Sequence, residues 1–410
     1  MASSFAIIAG DIFGNGTTNY YPVANSGANG HTIEAESKIK YRFAGTAKNL
    51  HVNIISNGTL GTSTLVLRKN STTDTALTIS IGSGITGQLE DTTNTATFSV
   101  ADDLSFKFVY ASGGNISINT MHAEIVSDIN TNIIIGANGL DSVTTNSADT
   151  FYPIAGWTLK DSTETNIYQT VALSATLKNL QVYISANART STTTVTIRKN
   201  TLNGNQTVSI GSGVTGLLED TTNTDSISAT DNIDFKVTTG TGSGEQITFR
   251  ILSVQCENSA NLSPLGAADN MSLGQNLTRY ITIGGRMRTA VTENDTKAKI
   301  RTIASLSDLY VNVTSNSFSG TTPVRVRKNG ANGNILVSIG GGVTGIVSDT
   351  TNTDSIASGD DINYLIVTPN EVQSINIKSM MMVVGTVATS TKTFTFGATL
   401  QATSTKTFTF

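Results

Sequence analysis

Gly82-Ser83-Gly84-Ile85-Thr86-Gly87 and Gly211–Gly216 both spell G-x-G-x-x-G, the pattern with which a backbone turn cradles a dinucleotide pyrophosphate at a helix N-terminus. That chemistry needs a parallel strand before the glycines, a helix opening on them and an acidic residue about twenty positions later. Here a β-type segment, Asp91-Thr92-Thr93-Asn94-Thr95 or Asp220-Thr221-Thr222-Asn223-Thr224, follows almost at once. The glycines are therefore assigned to a tight turn with a bulge, and nucleotide chemistry is set aside.

Three further groups could do chemistry. Arg68, Arg198 and Arg327 each begin an Arg-Lys-Asn triplet at the end of an alternating strand. One reading makes these an anionic-ligand site; the other makes them a structural charge at a strand end, with the arginine bridging to Asp91, Asp220 or Asp349. Recurrence in every copy favours the structural reading, because a fold-defining turn belongs to all copies. Asp102-Asp103, Asp231-Asn232 and Asp360-Asp361 offer carboxylates to a hard cation such as calcium, but a regular D-x-D-x-D spacing is missing and a plain turn is expected. His31, His51 and His122 all fall in the first third, in no metal-ligand spacing. His51 sits on the polar side of its strand and is expected to be exposed. Cys256 is alone in the chain, which excludes an intrachain disulfide and points to a small buried side chain. No Ser, His and acid set recurs and no carboxylate pair stands out as acid and base. The expectation is a protein that is not an enzyme and has no cofactor and no metal.

Stepping from Asp91 to Asp220 to Asp349 covers 129 residues each time, and the flanking residues recur at 129 or 130. Val66-Leu67-Arg68-Lys69-Asn70 returns as Thr196–Asn200 and as Val326–Asn329, and the third glycine turn reads Ile339-Gly340-Gly341-Gly342-Val343-Thr344-Gly345. Glu34, Glu164 and Glu293 precede Leu50, Leu180 and Leu309 by the same sixteen residues. Units of this size can bury their own cores, so three tandem domains are placed at 5–128, 131–258 and 262–386, as separate beads. Apolar and polar residues alternate in Leu50–Ile54, Leu180–Ile184 and Ile233–Val237, the period of half-buried antiparallel strands. Asn and Gly turns separate them. About eight short strands per unit suit an all-β fold of three β-sandwich or jelly-roll domains. Glu36–Arg42 is the nearest thing to a helix and is read as a strand.

Charged residues make up 14% of the chain, and the net charge is −4, which provides no cationic field for nucleic acid. No run of 18 apolar residues predicts a membrane helix, and Met1–Gly10 lacks the basic start of a secretory signal. After residue 386 a second repeat appears: Ala388–Phe396 returns unchanged as Ala402–Phe410. Phe394, Phe396, Phe408 and Phe410 alternate with threonine, giving strands with one apolar face that are only marginally stable alone. They are expected to dock, either on this chain or as strands added to a neighbouring subunit.

The units V-x-I-R-K-N, I-G-x-G-V-T-G and D-T-T-N-T-D-S-I, followed by a D-x-I-x-F strand, resemble repeated β domains in virion structural proteins of tailed bacteriophages. The resemblance runs to Gly385 and leaves the tail outside. It implies a virion component built of jelly rolls, often trimeric, with no catalytic residue to carry over. It further implies assembly in a host cytoplasm followed by lysis, which suits a chain without an export signal. The partners expected are the major capsid protein or neighbouring subunits of a homo-oligomer. The role expected is capsid decoration or head fibre, exposed on the virion surface. A tail fibre engaging host glycans and a self-assembling extracellular filament or adhesin are the alternatives.

Overall fold

The computed structural model describes residues 3–27, 30–157, 159–386, 391–395 and 405–409. The first third contributes eight main strands: β1 Ser3–Gly14, β2 Thr18–Pro22, β3 Gly45–Asn57, β4 Ser63–Lys69, β5 Thr73–Ile81, β6 Gly87–Phe98, β7 Asp103–Val109 and β8 Ile116–Ser127. They form two antiparallel sheets, ordered β1-β8-β3-β6 and β2-β7-β4-β5. Apart from the β4–β5 hairpin, each connection crosses from one sheet to the other, which is the jelly roll. The hairpin turns at Asn70 and Ser71, both at positive φ (55° and 59°), a conformation that asparagine tolerates better than most residues. Alternation then buries Leu104, Phe106 and Phe108 of β7 against Leu50, Val52 and Ile54 of β3.

The same strand order returns from Thr131–Val143 to Ile247–Asn258, and again from Leu262–Leu273 to Ile375–Thr386. The extra residue expected near the glycines lies elsewhere. Pairing of β3 with β6 jumps from Lys48↔Thr95 to Leu50↔Asp91, so the bulge is in the Asp-Thr-Thr-Asn-Thr segment, opposite Asn49 at φ 51°. Gly84 and Gly87, at φ 72° and 90°, turn the chain before it. Glu36–Arg42 is not one strand: a single 3-10 turn at Glu34–Glu36 leads to a two-residue strand, Ile39–Lys40.

The three units are not beads. Ser26–Gly27 pairs in parallel with β1 (Ile8↔Ser26) and with Gly156–Trp157 (Gly156↔Ser26), which in turn pairs in parallel with Thr131–Val143. One sheet of ten strands thus runs through the first two units. In the third unit Gly285–Arg286 pairs in parallel with Leu262–Leu273 and presses on β1. A Cβ on Gly285 would lie 2.5 Å from the Ala9 nitrogen, and one on Gly156 2.4 Å from the Ala268 nitrogen; both glycines also sit at positive φ. Asn25 lies at this meeting point: its backbone bonds to Ile134 and Gly136 of the second unit, and its side-chain amide turns to the Pro264–Gly266 backbone of the third.

A repeated head-to-tail contact closes the ring. The 3-10 turn of each unit, with the residues flanking it, docks on the β3–β8 region of the next. Arg42 of the first unit binds Glu219 of the second through two bonds, Nε at 3.2 Å. Lys378 of the third pairs with Asp161 of the second, and Arg301 of the third binds Glu90 of the first, Nε at 2.9 Å. Asn312 donates to the Thr165 and Tyr168 carbonyls, and its counterpart Asn53 donates to those of Asn294 and Lys297. The Ser3 amide donates to Thr386 Oγ1 at 3.1 Å. Because strands paired around the axis are parallel, the 127–131 and 258–262 connections lie with residues 3 and 386 at one end. The loops after β1, β3, β5 and β7 lie at the other.

Candidate functional site

The arginine of each triplet does not meet the aspartate expected of it. Arg68 donates from Nε and Nη2 to both oxygens of Glu34 (3.0 and 3.3 Å) and from Nη1 to Asp74. Arg198 holds Glu164 at 2.9 and 2.9 Å and Asn203 at 2.6 Å; Arg327 holds Glu293 at 2.9 and 3.1 Å together with Asn332. Each guanidinium also lies 6.0 Å from an aromatic ring, Tyr20, Phe151 or Tyr280. The glutamate is the first residue of the 3-10 turn, so the β4–β5 turn is tied to the segment that docks on the next unit. A planar fork on a carboxylate fixes orientation as well as distance.

Asp91, Asp220 and Asp349 do other work. The Asp91 carboxylate accepts the Thr78 amide of β5 at 3.0 Å and the Thr93 and Asn94 amides of its own bulge, joining the two sheets at one edge. Asp220 and Asp349 repeat this with Thr207 and Leu336. Burial raises the Asp220 carboxyl, but hydrogen bonds from Asn223, Thr207 and Thr222 outweigh it and bring it down to about 2. Asp349 reaches about 2 in the same way.

The paired acids end in turns. Asp102 accepts the Ser99 amide at 2.8 Å and the Asn70 side chain at 2.7 Å; Asp231 and Asp360 match it with Asn200 and Asn329. Among the described residues no three His, Cys, Asp or Glu gather as a metal site, and no helix is long and apolar enough to cross a membrane. Cys256 is buried, and burial drives its thiol up to about 12.

The histidines depart most from expectation. His51 is fully buried, because the face of β3 that alternation made polar is covered by the docked segment of the third unit. It stacks on His122 at 4.6 Å. His31 is buried near the second unit, 3.5 Å from Glu36, which in turn binds Arg250 at 2.8 Å. Two clefts open along the inter-unit contacts. One of about 620 Å³, between the first and third units, is lined by Asn53, Gln88, Asn294, Asp295 and Lys299. The other, of about 340 Å³, lies beside Arg42, Ile129 and Lys178.

In the tail, Thr391–Thr395 and Thr405–Thr409 pair with each other in antiparallel register, Phe394 opposite Lys406 and Lys392 opposite Phe408. Phe396 and Phe410 lie outside the described residues.

No protein-family model and no curated protein matches the chain. Among solved structures it is similar to one presented as the triple jelly roll fold and turret assembly in an archaeal virus, at 14% identity over 85% of this chain and 81% of that one, TM-score 0.20. A structure of Sulfolobus turreted icosahedral virus gives 14% identity over 84% and 81%, TM-score 0.17. The insecticidal delta-endotoxin Cry8Ea1 from Bacillus thuringiensis gives 7% over 81% of this chain and 53% of that one, TM-score 0.20. Likenesses at this level carry no functional argument, and the jelly-roll assignment rests on the strand order.

Proposed function

We propose that this chain is a non-enzymatic structural subunit of a virion, carried on the capsid exterior as a decoration or head-fibre component. The observation that carries the reading is the closed ring of three jelly rolls, in which the repeated Arg, Glu and Asp side chains are engaged in internal braces. Outward positions of β5 such as Thr73, Thr78 and Ser80, and Thr92–Thr95 of β6, are exposed hydroxyl and amide groups. A sparsely charged, braced ring suits assembly and persistence in solvent more than turnover. The polarity of the ring supports an orientation: the end carrying residue 386, from which the tail continues, faces the particle, and the loop end faces outward.

Gradient-purified particles from an infected host, probed with antibody to the ring and imaged at subunit resolution, test this. The chain is expected at stoichiometric amounts on the shell surface. Its absence from particles would overturn the reading. Removing residues 387–410 is expected to release the ring from its particle and leave the jelly rolls folded; a truncated ring that stays attached would sink the tail's role in docking.

One observation favours a second reading, in which the ring engages a host glycan. The cleft lined by Asn53, Gln88, Asn294 and Asp295 offers amide and carboxylate partners to sugar hydroxyls. Glycan-array binding abolished by Asn294→Ala would support it.

A further inference from the structure

The chain itself crosses two of the three seams of the ring, at 127–131 and 258–262. The seam between the third and first units is closed by non-covalent contacts alone, and His51 and His122 lie in it. Their rings stack with 28° between planes. His122 Nε2 is 3.0 Å from the Lys299 carbonyl oxygen of the third unit, and His51 Nε2 is 3.1 Å from Gln88 Oε1. Both bonds suit a neutral ring donating from Nε2. Both Nδ1 atoms are buried without a partner, so a second proton would meet no acceptor.

The charged groups around the pair are already matched. Lys299 pairs with Asp361 at 2.7 Å and Arg301 with Glu90. Glu124 on β8 is held by Lys48, Asn49 and Thr302. Glu90 and Glu124 favour a charged His122, but each already pairs with a cation and together they do not outweigh burial. Burial, and then the Lys299 and Arg301 charges against the help of Gln88, leave His51 at about 4; burial and the neighbouring His51 leave His122 at about 3. His31, in the seam with the second unit, is held at about 4 by burial and Arg250.

We propose that the His51–His122 pair is an acid latch: protonation on falling pH opens the seam between the third and first units, drawing Phe5 and Ile7 out of the third core while the strands of each jelly roll stay formed. A histidine held below its ordinary value of 6.5 favours the closed ring fully above that value and loses this contribution as pH falls from 6.5 towards 4. Each such histidine shifts the closed-to-open ratio by about tenfold per pH unit in that window.

Trp157, the sole tryptophan, stands where the three units meet. It presses on Gly27 of the first, and the Arg286 guanidinium of the third lies 4.7 Å from its ring centre. Its emission, followed with small-angle scattering and far-UV circular dichroism from about pH 7.5 to about pH 3.5, reads the latch directly. The control is the double variant His51→Gln, His122→Ser, which installs the residues the second unit carries at the same positions, Gln181 and Ser253. In the wild-type chain the emission should shift red and the radius grow between pH 6.5 and 4, with the strand signal retained. In the double variant the midpoint should fall by about one pH unit or more. Equal midpoints would assign the response to interface carboxylates and overturn the proposal, as would a ring that stays closed until strand signal is lost. If the double variant does not fold, His122→Ser alone makes the same comparison.

Discussion

Asp234 occupies the position of Ser105 and Asn363 in the other units, and the three residues treat the brace beneath them differently. Ser105 donates to Glu34 Oε1 at 2.9 Å, and Asn363 donates to Thr296 Oγ1 at 2.9 Å. Asp234 is buried with its carboxyl against Glu164, and burial first, then the Glu164 charge, push it well above the usual carboxylate range. The folded chain therefore favours the protonated form of this carboxyl more than the unfolded chain does. Asp234→Asn removes that requirement and should stabilise the protein by on the order of 1 kcal/mol at pH 7. The gain is absent below the unfolded carboxyl value of about 4 and grows as pH rises from there towards the raised folded value; calorimetric melting at pH 7 and pH 3 checks it, and equal shifts at both would contradict it. At this scale the sequence discloses which residues repeat but not their partners. The glutamate precedes its arginine by 34 residues in every copy, whereas the aspartate follows by 23, 22 and 22 (91 − 68, 220 − 198, 349 − 327). The stricter interval marks the true pair, although an interval alone carries no geometry.

The segment led by the 3-10 turn is the element through which one unit grips the next, and its position depends on the arginine fork. Arg68→Ala should cost about 1–3 kcal/mol, because a mostly buried Glu34 loses both guanidinium bonds and keeps the Ser105 hydroxyl on Oε1 alone. The loss should appear in the contact with the second unit as well, as higher proteolytic sensitivity of the 127–131 connection. Arg68→Lys should recover only part, since an ammonium cannot match the two-point geometry. Strand alternation made the sandwich legible in advance, but it misplaced His51, because periodicity identifies the face turned from its own core and not what covers that face. The counter-signal lay in the strands nearest the axis. Phe5–Ala9, Ile133–Ile135 and Met380–Val384 are uninterrupted apolar runs, which denote burial on both faces.

Those same strands determine how the whole molecule behaves. Phe5 and Ile7 of β1 enter the core of the third unit, Ile134 and Ile251 of the second enter the core of the first, and Met381 and Val383 of the third enter that of the second. The repeat in the sequence made three separate bodies the natural expectation, since nothing in a period of 129 residues says which faces are shared. Each sandwich is incomplete without side chains lent by a neighbour, so melting one strips apolar cover from the others. At neutral pH, with the latch shut, heating should therefore produce a single calorimetric peak. Its van't Hoff enthalpy should match the full measured enthalpy of all three units, and three resolved steps would refute this. In thermodynamic terms a chain with three cores has one unit of cooperativity, and a substitution in any of them would shift the melting of all three.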